Sequence, residues 1–445
     1  MNKWLYKLSY TRIIALSFVF VILLGSLLLM LPVSSVQGTW TPFIDTLFTS
    51  VSATCVTGLA VYDTGFYWSF FGQIVILCMI QIGGLGFMTV ISMFSIFLKR
   101  KISLTERQIL MQSAGNMRLS GMVRLVKRII LGTVIFELTG ALLLAIRFIP
   151  RYGFWKGIYF SIFHSISAFC NAGFDLLGNS QSFTAFEGDW LLNITIMFLI
   201  VIGGIGFLVW GEIHKNTYHF SRYSLHAKIV LLMTIFLIIA GSIGFFLFEY
   251  HGNLEGYPIW KKILSSTFMS VTTRTAGFNT MRMDTLSNSS ILLSLVLMFI
   301  GGSPGSTAGG IKTTTAAVVI LALINLSKGK NDVTIFKKRL DNSMIKHAAV
   351  IIITYLSGIL FAGMAICAVE SFTLSSVIFE IVSAAGTVGL SQGITSSLCA
   401  FSKLILIVLM YGGRIGGFSL LMVFRESSKE REMPLRRPVE KILIG

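Results

Sequence analysis

The chain has 445 residues and a formal net charge of +17, from 36 Lys and Arg against 19 Asp and Glu. Only 12% of residues are charged, 54% are hydrophobic, and mean hydropathy is +0.80. Soluble enzymes carry about 25% charged residues and disordered chains lack hydrophobicity, so both classes are excluded; charges gathered between long apolar runs mark an integral membrane protein.

Eight apolar runs approach or exceed the roughly 20 residues that cross a bilayer. In chain order they are residues 13–31, 73–98, 129–146, 190–210, 229–248, 291–324, 347–369 and 404–424. The first follows Lys3, Lys7 and Arg12, but its length and the lack of a small-residue cleavage site make it a span and not a cleaved signal. Segments 1–12, 96–128, 211–228, 326–346 and 425–445 together hold 26 basic and 8 acidic residues, a net of +18, and the rest of the chain sums to −1. The positive-inside rule makes these segments cytoplasmic, with both termini inside. The basic loops are topogenic and offer a surface to anionic lipid or an acidic partner. They lack the recognition folds and stacking aromatics of nucleic-acid binding. The five Cys and six His show no disulfide framework or metal spacing.

Self-comparison exposes a fourfold repeat. The segments are Thr54-Cys55-Val56-Thr57-Gly58, Phe169-Cys170-Asn171-Ala172-Gly173, Thr273-Arg274-Thr275-Ala276-Gly277 and Ala385-Gly386-Thr387-Val388-Gly389, with final glycines 115, 104 and 112 residues apart. Each is followed, 25, 30, 24 and 23 residues later, by a double glycine: Gly83-Gly84, Gly203-Gly204, Gly301-Gly302 and Gly412-Gly413. Each is preceded by a short apolar segment, at 41–53, 155–168, 259–272 and 371–384, too short to cross and suited to a re-entrant helix. The expected units are repeat 1 at 1–98, repeat 2 at 99–211, repeat 3 at 212–325, repeat 4 at 326–424 and a cytoplasmic tail at 425–445. Irregular backbone at membrane depth survives only where it is buried or lines a water-filled cavity. Four converging loops can hold a cation on backbone carbonyls, with the helix C-termini adding negative potential. The fold expected is therefore an all-α polytopic membrane protein. Four linked span–re-entrant loop–span repeats, eight transmembrane helices in all, surround a pseudo-fourfold central pore.

The third repeat departs from the others. Nine of the ten residues Gly301, Gly302, Ser303, Pro304, Gly305, Ser306, Thr307, Ala308, Gly309 and Gly310 are Gly, Pro, Ser or Thr, and no helix continues through them. The run to Lys312-Thr313 mimics a phosphate-binding loop but fails it by one inserted residue, Ile311, and by lacking a preceding strand. Arg414 lies inside the last span, where charge is costly and functional. It is expected to hydrogen-bond carbonyls of the small-residue loop, or to place a positive charge beneath the four loops and shape the permeation barrier, or to serve as a structural anchor paired with a carboxylate such as Glu137 or Glu380. Those two carboxyls are also candidates for a coupling route. Lys312 is expected to snorkel to the cytoplasmic interface.

These four loops in register resemble the Trk/Ktr/HKT superfamily of potassium transporters, nearest its Ktr-type membrane subunit, over roughly residues 10–425. The resemblance implies potassium held by filter-loop carbonyls, among them those of Val56, Asn171, Thr275 and Thr387. All four filter glycines being Gly favours potassium over sodium, while Asn171 and Arg274 break the chemical symmetry. It further implies that residues 301–310, with Arg414, form an intramembrane gate, and that sodium acts as an activator. A homodimer in the cell membrane is also implied. So is a cytosolic ring of nucleotide-binding (RCK/KTN-type) regulatory subunits, the nucleotide sitting only on that partner; the sequence holds no G-x-G-x-x-G after a strand. The alternative within transport is a proton- or sodium-coupled alternating-access symporter. An enzyme is not expected, because no acid, base or nucleophile set clusters on facing spans, and a purely structural anchor would have no use for filter loops.

Overall fold

The computed structural model describes residues 10–86, 89, 122–178, 182–217, 219–329, 332–336 and 338–416. The predicted continuations of the second span to residue 98 and of the eighth to residue 424, most of the basic segment 96–128, and the tail 425–445 lie outside the described residues.

Each of the four segments expected to be re-entrant is a short helix. In the first repeat α1 (Tyr10–Met30), α2 (Phe43–Thr54) and α3 (Phe70–Leu85) follow one another. The second has α4 (Met122–Tyr152), α5 (Phe154–Phe169), α6 (Trp190–Gly204) and α7 (Phe207–Asn216). The third has α8 (Leu225–Phe248), α9 (Ile259–Thr272), α10 (Asn288–Phe299) and α11 (Thr313–Ser327). A two-residue hairpin, β1 (Thr334–Ile335) with β2 (Lys338–Arg339), leads into the fourth: α12 (Asn342–Cys367), α13 (Leu374–Gly386) and α14 (Ala400–Ile415).

Helix starts follow local chemistry. Ser69, Asp189 and Ser287 cap α3, α6 and α10 by accepting from Gly72, Leu192 and Ser290 amides, and Pro42 and Pro258 precede α2 and α9. Among the described residues four helices are long and apolar enough to cross a membrane: those at Arg12–Met30, Val123–Tyr152, Leu225–Phe248 and Asn342–Cys367, all first spans of their repeats. Among the described residues, the second apolar runs of the second and third repeats are interrupted at their glycines. The run 190–210, expected to be continuous, breaks after Gly204 and resumes at Phe207 with a 99° bend. Its cause is Gly206, at φ 96°, together with the Phe207 N–H, which leaves the helix to donate to Gly305 O (2.8 Å). In the third repeat the helix stops at Phe299 and restarts at Thr313.

The short helices organise the packing. Helix α2 lies against α1 and α3, α5 against α4 and α6, α9 against α8, and α13 against α12 and α14. Each also touches the second span of the repeat before it: α5 meets α3, α9 meets α6, α13 meets α10, and α2 meets α14. The last of these contacts joins the first repeat to the fourth. A buried ion pair seals it, Lys403 Nζ to Asp45 Oδ1 at 2.7 Å, with Tyr62 donating to Asp45 Oδ2 at 2.8 Å.

Candidate functional site: four filter loops over a small-residue loop

The four glycine motifs converge. Space for a side chain is absent at Gly58, Gly173, Gly277 and Gly389. A Cβ on Gly58 would lie 2.5 Å from Ala172 O, on Gly173 2.7 Å from Ala276 O, and on Gly277 2.6 Å from Val388 O; on Gly389 it would strike Thr57 O. Each loop thus abuts the next, and the fourth returns to the first. All four glycines have positive φ, 98°, 69°, 81° and 94°. The residues two before them, Val56, Asn171, Thr275 and Thr387, also sit in the left-handed region, at 58°, 59°, 70° and 52°. Four non-glycine residues held there at equivalent places are strain retained at a site.

The backbone polarity of these loops is one-sided. The N–H of Thr57, Ala172 and Val388 donates to Ser52, Ser167 and Ser383 carbonyls, each at 2.8 Å, and that of Ala276 to Thr272 O at 3.0 Å. The amides are spent on the loops' own helices, and the Thr57, Ala172, Ala276 and Val388 carbonyls face the neighbouring glycines. The third loop reaches back four residues where the others reach back five. Helices α2, α5, α9 and α13 end at these loops and direct their negative ends toward them. Thr54, Thr57 and Thr387 hydroxyls are buried and have no hydrogen-bond partner among the described residues. Asn171 and Thr275 side chains approach each other to 3.3 Å. Arg274 points away from the loops; its Nη2 lies 3.5 Å from Thr234 Oγ1 on α8.

The double glycines are packing surfaces. A Cβ on Gly83, Gly203 or Gly413 would collide with the carbonyl of Thr54, Phe169 or Ala385, the residue four before the filter glycine in each case. This sets the register of the fourth repeat at Gly413, one residue later than the sequence match to Gly412, and puts Arg414 where Gly84 and Gly204 stand in the first two repeats.

Residues 301–310 fold into a compact loop pressed against this assembly. Ser303 N–H donates to Gly204 O (3.0 Å), Thr307 N–H to Gly203 O (3.2 Å) and Gly310 N–H to Gly413 O (3.1 Å). Thr307 Oγ1 donates to Phe169 O (3.1 Å), and Gly309 leaves no room for a side chain beside Thr387. Ser306 Oγ donates to Ser303 O (2.7 Å). Arg414 joins the loop to the first repeat: its guanidinium donates to Thr307 O, to Gly83 O and to Gly84 O, the last at 3.0 Å. Glu137 lies elsewhere, 3.3 Å from Gln81 Nε2, and Glu380 accepts from Thr395. Lys312 turns back on the loop, donating to Ala308 O (2.8 Å) and Gly309 O (3.3 Å), where the sequence suggested extension to the interface.

On the other side of the glycines opens a cavity of about 840 Å³, floored by Gly58, Gly173, Gly277 and Gly389. Four carboxylates line it, Asp63, Asp175, Glu187 and Asp284, against one guanidinium, Arg282. Burial, reinforced by the nearby Asp63 charge and opposed by the Leu177 amide, pushes the Asp175 carboxyl up to about 7.

A sequence model for the TrkH family, described as cation transport protein, matches residues 9–432. The chain belongs to the TrkH family. It is 38% identical to the potassium/sodium uptake protein NtpJ of Enterococcus hirae, over 99% of this chain and 98% of that protein. It is likewise 38% identical to the Ktr system potassium uptake protein B of Bacillus subtilis (100% and 98%) and 35% identical to the protein of that name from Vibrio alginolyticus (98% and 94%). The crystal structure of the potassium transporter TrkH from Vibrio parahaemolyticus superposes with a TM-score of 0.75 at 17% identity, covering 94% of this chain and 86% of that one. This TrkH-family chain therefore shares a mostly helical fold with a solved membrane transporter.

Proposed function

We propose that the chain is a potassium uptake pore of the cell membrane, with eight spans, both termini cytoplasmic and four repeats in pseudo-fourfold order about one axis. The observation that carries this reading is the closed ring of four positive-φ glycines, each against a carbonyl of the next loop. Amides turned outward leave carbonyl oxygens to replace a cation's hydration shell, and the unpartnered Thr hydroxyls supply further oxygen. The acidic cavity above concentrates cations before they reach the ring. Loop 301–310, held by Arg414, is the gate beneath it. The names of the relatives, potassium and potassium/sodium uptake proteins, support a potassium substrate; we infer that sodium acts as an activator. We further infer a homodimer and a cytosolic nucleotide-binding regulatory ring that meets the basic face.

The test is flux of potassium, rubidium and sodium into liposomes holding the purified chain. Potassium and rubidium are expected to pass at channel-like rates in preference to sodium. In Gly58→Ser the new side chain meets Ala172 O, and the potassium preference is expected to collapse. Potassium preference preserved in both Gly58→Ser and Gly277→Ser would overturn the pore.

A further inference from the structure

The position nine residues before each filter glycine lies on the inner face of a re-entrant helix. It holds Thr49, His164, Phe268 and Glu380 in the four repeats. All four are buried: His164 and Phe268 are 0% exposed, and Thr49 and Glu380 are 1% exposed. Two of the four are ionisable, and they fall in the second and fourth repeats, which face each other across the ring.

Both ionisable side chains are tied to the segment that leaves the filter, His164 directly and Glu380 through Thr395. His164 Nδ1 donates to Phe160 O (2.7 Å) one turn back on α5, and its Nε2 accepts from the Leu176 N–H (3.2 Å), three residues past Gly173. Only the neutral ring with its proton on Nδ1 satisfies both partners. Leu176 is itself the seat of the first repeat, since a Cβ on Gly65 would lie 2.6 Å from Leu176 O. Glu380 Oε1 accepts from the Thr395 hydroxyl, which is also 3.0 Å from Ser391 Oγ, two residues past Gly389. Glu380 Oε2 is buried without a hydrogen-bond partner among the described residues. A carboxyl enclosed with one oxygen unmatched is costly, and general packing offers no reason to keep it. In the other two repeats the same position makes no such tie: the Thr49 hydroxyl donates to Asp45 O (2.9 Å) on its own helix, and Phe268 has no polar group.

We propose that His164 and Glu380 are positioning residues of the filter: they pin the outgoing strands of the second and fourth loops to their helices and so set the separation of those loops across the ring. The filter then has a twofold mechanical support inside its fourfold arrangement. Neither residue touches the ion; each acts through the backbone that carries the glycine. The inference rests on the pore reading given above.

The experiment measures the potassium-to-sodium flux ratio in liposomes, together with the melting temperature in detergent, for the full chain. Glu380→Leu and His164→Leu are expected to lower the ratio about fivefold each, the effect of losing one hydrogen bond of ordinary strength. Glu380→Gln, which keeps an acceptor for Thr395, is expected to retain the wild-type ratio. Thr49→Val and Phe268→Leu remove buried groups at the same depth and are expected to shift melting while leaving the ratio unchanged. A ratio that falls equally in all four repeats, or in none, overturns the inference. Should Glu380→Leu fail to fold, Thr395→Val removes the same tie from the loop side and is read identically. Wild-type protein that shows no potassium preference refutes the pore reading itself, which separates the two failures.

Discussion

Gly413 and Arg414 are neighbours with opposite demands on space. Gly413 admits the Ala385 carbonyl so closely that a methyl group would collide with it, whereas Arg414 spreads its guanidinium over three carbonyls from two other repeats. Gly413→Ala is expected to destabilise the chain by about 1–3 kcal/mol, the range for overpacking a close contact, read as a lower melting temperature in detergent. Asp175 governs a different response. With its carboxyl titrating near 7, it is ionised at pH 8 and protonated at pH 6, so cation flux from the cavity side is expected to fall as external pH drops through 7. Asp175→Asn should hold flux at the low level and flatten that profile. Because the folded value lies above the unfolded 3.8, the stability this group contributes is fully present below the unfolded value and declines as pH rises toward 7.

At the scale of elements, the bounds of the four short helices were readable from length and spacing: the expected segment 259–272 coincides with α9, and the others agree within three residues. Local composition suffices there, since a 13- or 14-residue apolar run ending in Gly cannot cross. The bend in the second repeat was not readable, because residues 190–210 are apolar throughout and only Gly305, 98 positions beyond Phe207, supplies the acceptor that draws Phe207 out of the helix. Arg414→Ala frees the Thr307 carbonyl from its anchor, and potassium flux in the resting protein is expected to rise several-fold as the loop loosens. Unchanged conductance and gating would remove Arg414 from the gate. The α2–α14 contact yields a separate expectation. Lys403→Met leaves Asp45 buried without its cation, a loss of about 3 kcal/mol or more, detectable as a fall in melting temperature that Asp45→Asn in the same chain partly restores.

Across the whole molecule, the four repeats close on themselves although the chain does not. The contacts of α2 with α14 and of Gly389 with Thr57 O bring the first and fourth repeats together, as the covalent order brings the others. Each half of the chain supplies two of the four glycines. A chain cut after Thr217, with both pieces co-expressed, is therefore expected to assemble and restore potassium flux, while either piece alone is inactive. Flux from one piece alone would mean that the ring is not the conducting unit.

Hydropathy and the spacing of glycines by themselves pointed to a mostly helical chain with several apolar helices and to four recurring glycine-bearing segments, because those signals are local and recur along the chain. They also singled out Arg414, since a charge in an apolar run stands out without any partner being known. Tertiary structure alone decided what each residue meets. Arg414 and Gly83 are 331 positions apart, Lys403 and Asp45 358, and no periodicity links them. The one-residue shift from Gly412 to Gly413 likewise followed only from which glycine a carbonyl could approach. The ties of His164 to the Leu176 amide and of Glu380 to the Thr395 hydroxyl were likewise legible only in the fold, because a hydrogen bond depends on direction and distance, and neither is written in composition.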